Sequence, residues 1–417
     1  MASTLPTEIL AQILADPTLK RCDLAACCLV SRRVLPLAQE ALFSHLTFDF
    51  AKNQDSAIDP ALPTSKTAKL VGTLSFNPAL SRLVRRLDLQ YVRPTFGQER
   101  PVARFDMRAV YAGLLNLAAL QLSLQGEDGP FAQVFLEANV KAPLRRLAVG
   151  NLMTPEVWQL LQRYQSTLRQ LKVANSETFE YPWPRDRPTL TLPSLKLDGC
   201  DSPSPEFWTL GAYQKVPAAL IGNSLPTLTH LHLTLPATTV PPLSSFPALT
   251  HLTLGLIGPD ESLPYLTQLP YQRQVADLLA ELRRCPSLLH LDFFESASVR
   301  QPRELSSFLC NPSPGPPPSP GLGRSLPPTL RVLQLQGVLF PPSAALAIVT
   351  SLPDSTGLRY LGFRPCLPRA PGRHRGIGAG GGGGPIERPR EMDQLERECR
   401  ERGIQLFEMA ATRGERW

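Results

Sequence analysis

The sequence predicts an α/β chain in two parts. A short three-helix domain comes first, and a right-handed, irregular solenoid follows, with a parallel concave sheet and helices on its convex side. Three observations carry this reading. The pattern L-x-x-L-x-L, with conservative swaps, recurs ten times between residues 84 and 363, and segments with helical spacing of apolar residues lie between the copies. Residues 1–50 instead read as short helices in succession. The 44 prolines among 417 residues, about twice the usual share, favour many short elements with hard stops between them.

The helical domain is placed at residues 1–50. Pro6 stands where the first helical residue would be, and Glu8 lies in the first turn, where the helix dipole favours an anion. Ile9, Leu10, Ile13 and Leu14 follow as one apolar stripe, and Asp16-Pro17 ends the helix. Asp23 is read as the cap of a second, almost wholly apolar helix, Leu24 to Val30. A third begins near Arg32, with Val34, Leu37, Ala38, Ala41 and Leu42 on one side. So small a unit buries little surface. Apolar residues should remain exposed on it, and these usually mark a partner site.

The strings LPTEILAQIL and DLAACCLVSRRVLPLAQEALF resemble the F-box motif. The shared parts are the Leu5-Pro6 entry, Glu8-Ile9-Leu10, the Asp23-Leu24 step, Leu29-Val30-Ser31-Arg32 and the terminal Leu42-Phe43. The resemblance covers about a tenth of the chain. It implies docking onto the Skp-type adaptor of a cullin–RING ubiquitin ligase, through positions Leu5, Pro6, Ile9, Leu10, Ile13, Leu29 and Val30. Val34 departs from the many members that carry an aromatic residue there.

Residues 51–80 are read as a linker and the first repeat helix, Ser65 to Phe76, and residues 81–410 as the solenoid. The copies are VRRLDL (84–89), LAALQL (117–122), LRRLAV (144–149), LRQLKV (168–173) and LPSLKL (192–197), then LTHLHL (228–233), LTHLTL (249–254), LLHLDF (288–293), LRVLQL (330–335) and LRYLGF (358–363). Intervals run from 21 to 42 residues, with a mean of about 30, so the array is irregular. Leucines at alternate positions face one side of a short strand. Val157, Leu160, Leu161 and Tyr164 keep helical spacing, as do Val275, Leu278, Leu279 and Leu282. Alternating strands and helices imply parallel strands, and stacked neighbours must supply the core that no single copy can.

The array resembles leucine-rich repeats, which often follow an F-box. It departs from them in one slot: only Cys200 and Cys366 stand where those repeats carry Asn or Cys. Two insertions, 311–328 and 369–388, are rich in Pro or Gly and are expected to be disordered. Beyond them Met392, Leu395 and Cys399 predict a last helix, and GIQLFE a last strand.

Composition narrows the function. A formal charge of +7, scattered along the repeats, carries no nucleic-acid readout motif. No apolar stretch approaches the ~18 residues of a membrane span. Eight cysteines form no C-x-x-C pair or zinc spacing, and Glu8 and Asp16 interrupt any secretory leader. Free thiols in the cytoplasm or nucleus are therefore expected. The glycine run is followed by Pro385-Ile386-Glu387 rather than the Lys-Ser/Thr of a phosphate loop. No nucleophile–base set or metal motif is recognisable, so no cofactor, metal or catalytic residue is assigned.

Candidate target-binding residues lie on the outward positions of the strands: His230, His232, His251, His290, Arg86, Lys172, Asp292 and Tyr360. His230, His251 and His290 occupy one slot in three successive copies. Strands ~4.8 Å apart would set them in a row, one that could bind a metal ion, sense pH or contact an acidic partner, or simply supply soluble, β-compatible side chains. The resemblance implies a substrate-recognition subunit of an SCF-type ligase, binding an unknown protein through the repeats. The alternative is a repeat scaffold whose first helices only cap the array.

Overall fold

Each leucine motif becomes a strand. The computed structural model describes residues 5–16, 18–52, 61–92, 107–123, 128–150, 154–173, 190–197, 223–235, 243–256, 279–295, 321–337, 341–365 and 390–408. Two compact units divide at Leu192/Pro193.

The first unit opens with helices α1 (Thr7–Leu14), α2 (Arg21–Cys27) and α3 (Leu35–Phe43). Their shared core is Leu14, Leu24, Val34 and Ala38, with Leu19, Cys27, Cys28, Leu37, Ala41 and Leu42 packed against it. The sequence places the boundaries a few residues off. Pro6 is the cap of α1 and not its first residue. Asp23 sits inside α2 and reaches back, its Oδ2 accepting the Lys20 N–H at 2.9 Å, as an anion in the first turn can. Helix α2 stops at Cys27, so residues 28–30 form a turn.

Strand β1 (His45–Lys52) then begins directly beyond α3. It lies largely within the stretch read as the helical domain, yet it pairs in parallel with β3 (Arg86–Val92) and belongs to the sheet. A short β2 (Ala61–Pro63) runs antiparallel to β1 at the sheet edge. Helices α4 (Ser65–Phe76), the residues predicted, and α5 (Pro78–Ser81) precede β3. Then follow α6 (Met107–Ala112), β4 (Ala119–Ser123), α7 (Asp128–Glu137), β5 (Arg146–Val149), α8 (Pro155–Tyr164) and β6 (Gln170–Val173). The apolar ladder runs Leu46, Leu87, Leu120, Leu147 and Leu171 across five parallel strands, all buried. Val157, Leu160, Leu161 and Tyr164 are buried together on α8, as their spacing predicts.

The second unit carries β7 (Ser194–Leu197), β8 (His230–Leu235), β9 (His251–Leu256), β10 (His290–Glu295), β11 (Val332–Gly337), β12 (Tyr360–Pro365) and β13 (Gln405–Glu408). Every described pairing here is parallel, in the order of the chain. Leu195, Leu231, Leu252, Leu291, Leu333 and Leu361 align across it, and a second row holds Leu233, Leu254, Phe293, Leu335 and Phe363. In both units the residue at the head of each motif, such as Leu117, Leu228 or Leu330, is also buried. Within each unit strands and helices therefore alternate along the chain over a parallel sheet, an arrangement compatible with a solenoid-like repeat.

One hydrogen-bond device recurs before the strands. Two successive N–H groups share one carbonyl of the preceding repeat: Ala118 and Ala119 on Arg85, Thr250 and His251 on Thr229, Arg359 and Tyr360 on Arg331, all within 2.8–3.0 Å. This satisfies buried backbone where the sheet has not yet begun.

Part of the stretch 311–328 is helical, contrary to expectation. Residues 321–328 are described and form helix α9 (Leu322–Ser325), with Leu322 and Leu326 buried. Gly323 leaves room for this packing: a Cβ there would lie 2.1 Å from Ser351 Oγ and 2.4 Å from the Ile348 carbonyl. That lets α9 approach α10 (Pro342–Thr350) closely. The final helix α11 (Arg390–Glu401) buries Met392, Leu395 and Cys399. Gly403, at φ 68°, ends its turn and directs the Ile404 N–H onto the Cys399 carbonyl at 2.7 Å. Residues 311–320 and 369–388, together with Cys200, Cys366, Val275 and Leu278, lie outside the described residues.

Candidate functional site

Two surfaces hold the candidate residues. The first is on the opening helices. Ile9 and Ile13 are spaced by four, so they share one edge of α1, at 40 and 50% exposure, and Leu5, just before the helix, stands at 38%. Leu10 and Leu14, one position on, turn inward at 7 and 6%. The apolar stripe read as one is thus two: Leu10 packs inside, while Ile9 and Ile13 face out. Pro6 is exposed. Leu29 and Val30 fall in the turn beyond α2, not in a helix, and stand at 88 and 64% exposure. Arg33 holds the two segments together, its Nη2 donating to the Leu5 carbonyl at 2.6 Å.

These residues are exposed although the local core is complete, because Val34 and Ala38 already fill the space between the helices. The helices are also tied to the sheet. Arg21 Nη2 donates to the His45 carbonyl at 2.9 Å, and Glu40 pairs with Arg85.

The second surface is the sheet face opposite the buried leucines. In the first unit Arg86 is already engaged. Its Nε and Nη2 donate to Asp88 at 2.9 and 3.2 Å, and its Nη2 also donates to Gln121 Oε1 at 3.1 Å. His45 Nε2 meets the same carboxylate at 2.7 Å. Burial tends to raise the Asp88 pKa, but the bonds and charges of His45 and Arg86 outweigh it and hold the group below the ordinary carboxylate value. Lys172 is half-buried on β6.

In the second unit the register sets His230 beside His251 and His251 beside His290. The first two rings stack with centroids 4.2 Å apart and planes 9° from parallel, and the third follows at 5.3 Å. His290 Nε2 is 2.8 Å from Asp292 Oδ1, so Asp292, like Arg86, has an intramolecular partner. His232 is half-buried on β8, and Tyr360 is exposed at the start of β12. Burial, and then the neighbouring imidazoles, push the His230 and His251 pKa values down, with Asp292 opposing at His251.

Thr229 and Thr250 are neighbours of the histidine row that residue types alone do not single out. Each hydroxyl lies against the Nδ1 of the histidine that follows it, at 2.8 and 2.9 Å. The signal was the tripeptide Thr-His-Leu, present in both motifs.

Among the described residues no group of three or more His, Cys, Asp or Glu is placed to hold a metal ion. No described helix is long and apolar enough to cross a membrane. No model of a known protein family matches the chain, and no curated protein matches it.

Proposed function

We propose that the chain is the non-catalytic substrate receptor of an SCF-type, cullin–RING ubiquitin ligase. The opening helices act as an F-box and bind the Skp-type adaptor, and leucine-rich repeats hold a target protein on the open sheet face. The observation that carries this reading is the set of exposed apolar residues Leu5, Ile9, Ile13, Leu29 and Val30, on α1 and the segments beside the helices, whose own core is already filled. Five apolar side chains left in water on so small a unit favour a partner that covers them. A stable interface buries about 1,200–2,000 Å² in total, and α1 with the 28–30 turn supplies a plausible half.

The mechanism is proximity. A receptor of this kind raises the effective concentration of its target near the ubiquitin carrier, so the chain itself needs no reacting side chain.

A second reading rests on a different observation. Helix α3 leads straight into β1, and Arg21 and Glu40 bind the sheet end, as a terminal cap of a scaffold would. Co-expression with a Skp-type adaptor separates the two. The wild-type chain should co-purify with it, and a variant carrying Leu5→Ala, Pro6→Ala and Ile9→Asp should not. A folded wild-type chain that retains no adaptor favours the scaffold.

A further inference from the structure

Each threonine hydroxyl of the Thr-His pairs lies between a backbone carbonyl and a ring nitrogen. Thr229 Oγ1 donates to the Pro193 carbonyl at 2.9 Å, and Thr250 Oγ1 to the Thr229 carbonyl at 3.1 Å. A hydroxyl has one proton. Where the proton goes to that carbonyl, each threonine oxygen accepts from the ring Nδ1–H of His230 or His251. In the neutral ring Nε2 then holds a bare lone pair. The stack places the two lone pairs side by side, pointing away from the threonines, on the open face of β8 and β9.

We propose that the Nε2 edge of the His230–His251 pair, with the Asp292 carboxylate two strand positions beyond the row, binds a basic side chain of a partner polypeptide. The site is rich in acceptors. Asp292 is the one carboxylate among the described side chains on this face of β7–β10, and it stands opposite Thr253, whose hydroxyl approaches it at 3.5 Å. A lysine ammonium or arginine guanidinium has only donors to offer. An acidic group would meet the lone pairs with its own, unless the rings were protonated, and burial and mutual repulsion oppose that. A metal ion is disfavoured by the geometry: near-parallel rings 4.2 Å apart do not converge on a point about 2.0–2.1 Å from both nitrogens.

The charged and titratable groups facing the pair are few. Strand β7 brings Lys196, opposite His232 of β8. Strand β10 brings His290 and Asp292, which bond each other, and β11 presents Val332 and Gln334. Acidification should therefore convert acceptors into donors and expel the ligand. The site does not require an adaptor on the helices, so it stands or falls apart from that reading.

The chain has six histidines, so selective ¹³C,¹⁵N-histidine labelling of the full chain gives few enough ring signals to assign. At pH 7.5 the rings of His230 and His251 should show the Nδ1–H tautomer. Two short peptides, alike except that one carries arginine and the other glutamate, are then titrated. The arginine peptide should shift both Nε2 signals and the glutamate peptide neither. Changing both histidines to Phe keeps the stack and removes the acceptors, and should weaken binding about ten-fold or more. Lowering the pH to 5 should do the same. Nε2–H tautomers in both rings, preference for the glutamate peptide, or a wild-type chain unmoved by the arginine peptide would each overturn the assignment.

Discussion

Leu29 gives the sharpest test of the exposed helical edge. Its side chain is 88% exposed and sits in the turn after α2, outside the helical core. Burying a whole leucine side chain is worth about 1.5–3 kcal/mol, so covering most of Leu29 in a complex contributes roughly 1.5–2.5 kcal/mol. Leu29→Ala forfeits most of that, which weakens adaptor binding about 10- to 70-fold. In the free chain the same change removes almost no contact, so unfolding should shift by no more than about 0.5 kcal/mol. Calorimetric titration with a purified Skp-type adaptor reads the first number, and urea unfolding of the free chain reads the second. The reasoning fails if affinity stays within two-fold of wild type, or if the variant loses stability to match its loss of binding.

Other consequences follow from the packing. Phe48 is fully buried on β1, so Phe48→Ala should cost about 3–5 kcal/mol in urea unfolding, and a small loss would remove β1 from the core. Asp88→Asn should cost roughly 1–3 kcal/mol by leaving Arg86 and His45 without their carboxylate. Because the folded pKa of Asp88 lies below the ordinary value of 3.8, this contribution is present above that value and lost as pH falls through the folded one. The wild-type advantage over the asparagine variant should therefore shrink in acid. Burial, with Glu281 nearby, pushes the Cys285 thiol up to about 12, and burial with Glu398 pushes Cys399 up to about 11. Alkylation of the native chain at pH 8 should thus label exposed Cys22 and spare Cys285 and Cys399 until the chain unfolds, as peptide mapping would show. Gly323→Ala should destabilise by about 1–3 kcal/mol, since the added carbon meets the Ile348 carbonyl at 2.4 Å.

The sheet was legible because its signal is local. All ten leucine motifs coincide with strands, since L-x-L alternation has no other compact use so close to a buried head residue. Strand β1 was hidden for a different reason. His-Leu-Thr-Phe-Asp-Phe carries the same alternation, but it follows α3 with no turn signal between them. Helix α9 was hidden by composition: prolines around Leu322 suggested a loop, while the close approach at Gly323 depends on α10. The split of Ile9 from Leu10 needed the position of α3, which periodicity alone does not supply. Likewise the row of histidines could be anticipated from their shared slot, whereas the partners of Arg86 and Asp292 could not. Those depend on side chains meeting across strands or along one, as His45, Gln121 and His290 do.

Amide hydrogen exchange of the full chain, with and without a Skp-type adaptor, addresses the exposed helical edge as a whole. Slowed exchange should appear in residues 7–14 and 28–33 on adding the adaptor, with β8–β12 unchanged. Unaltered exchange in α1 and the 28–30 turn, or protection confined to the strands, would contradict the account.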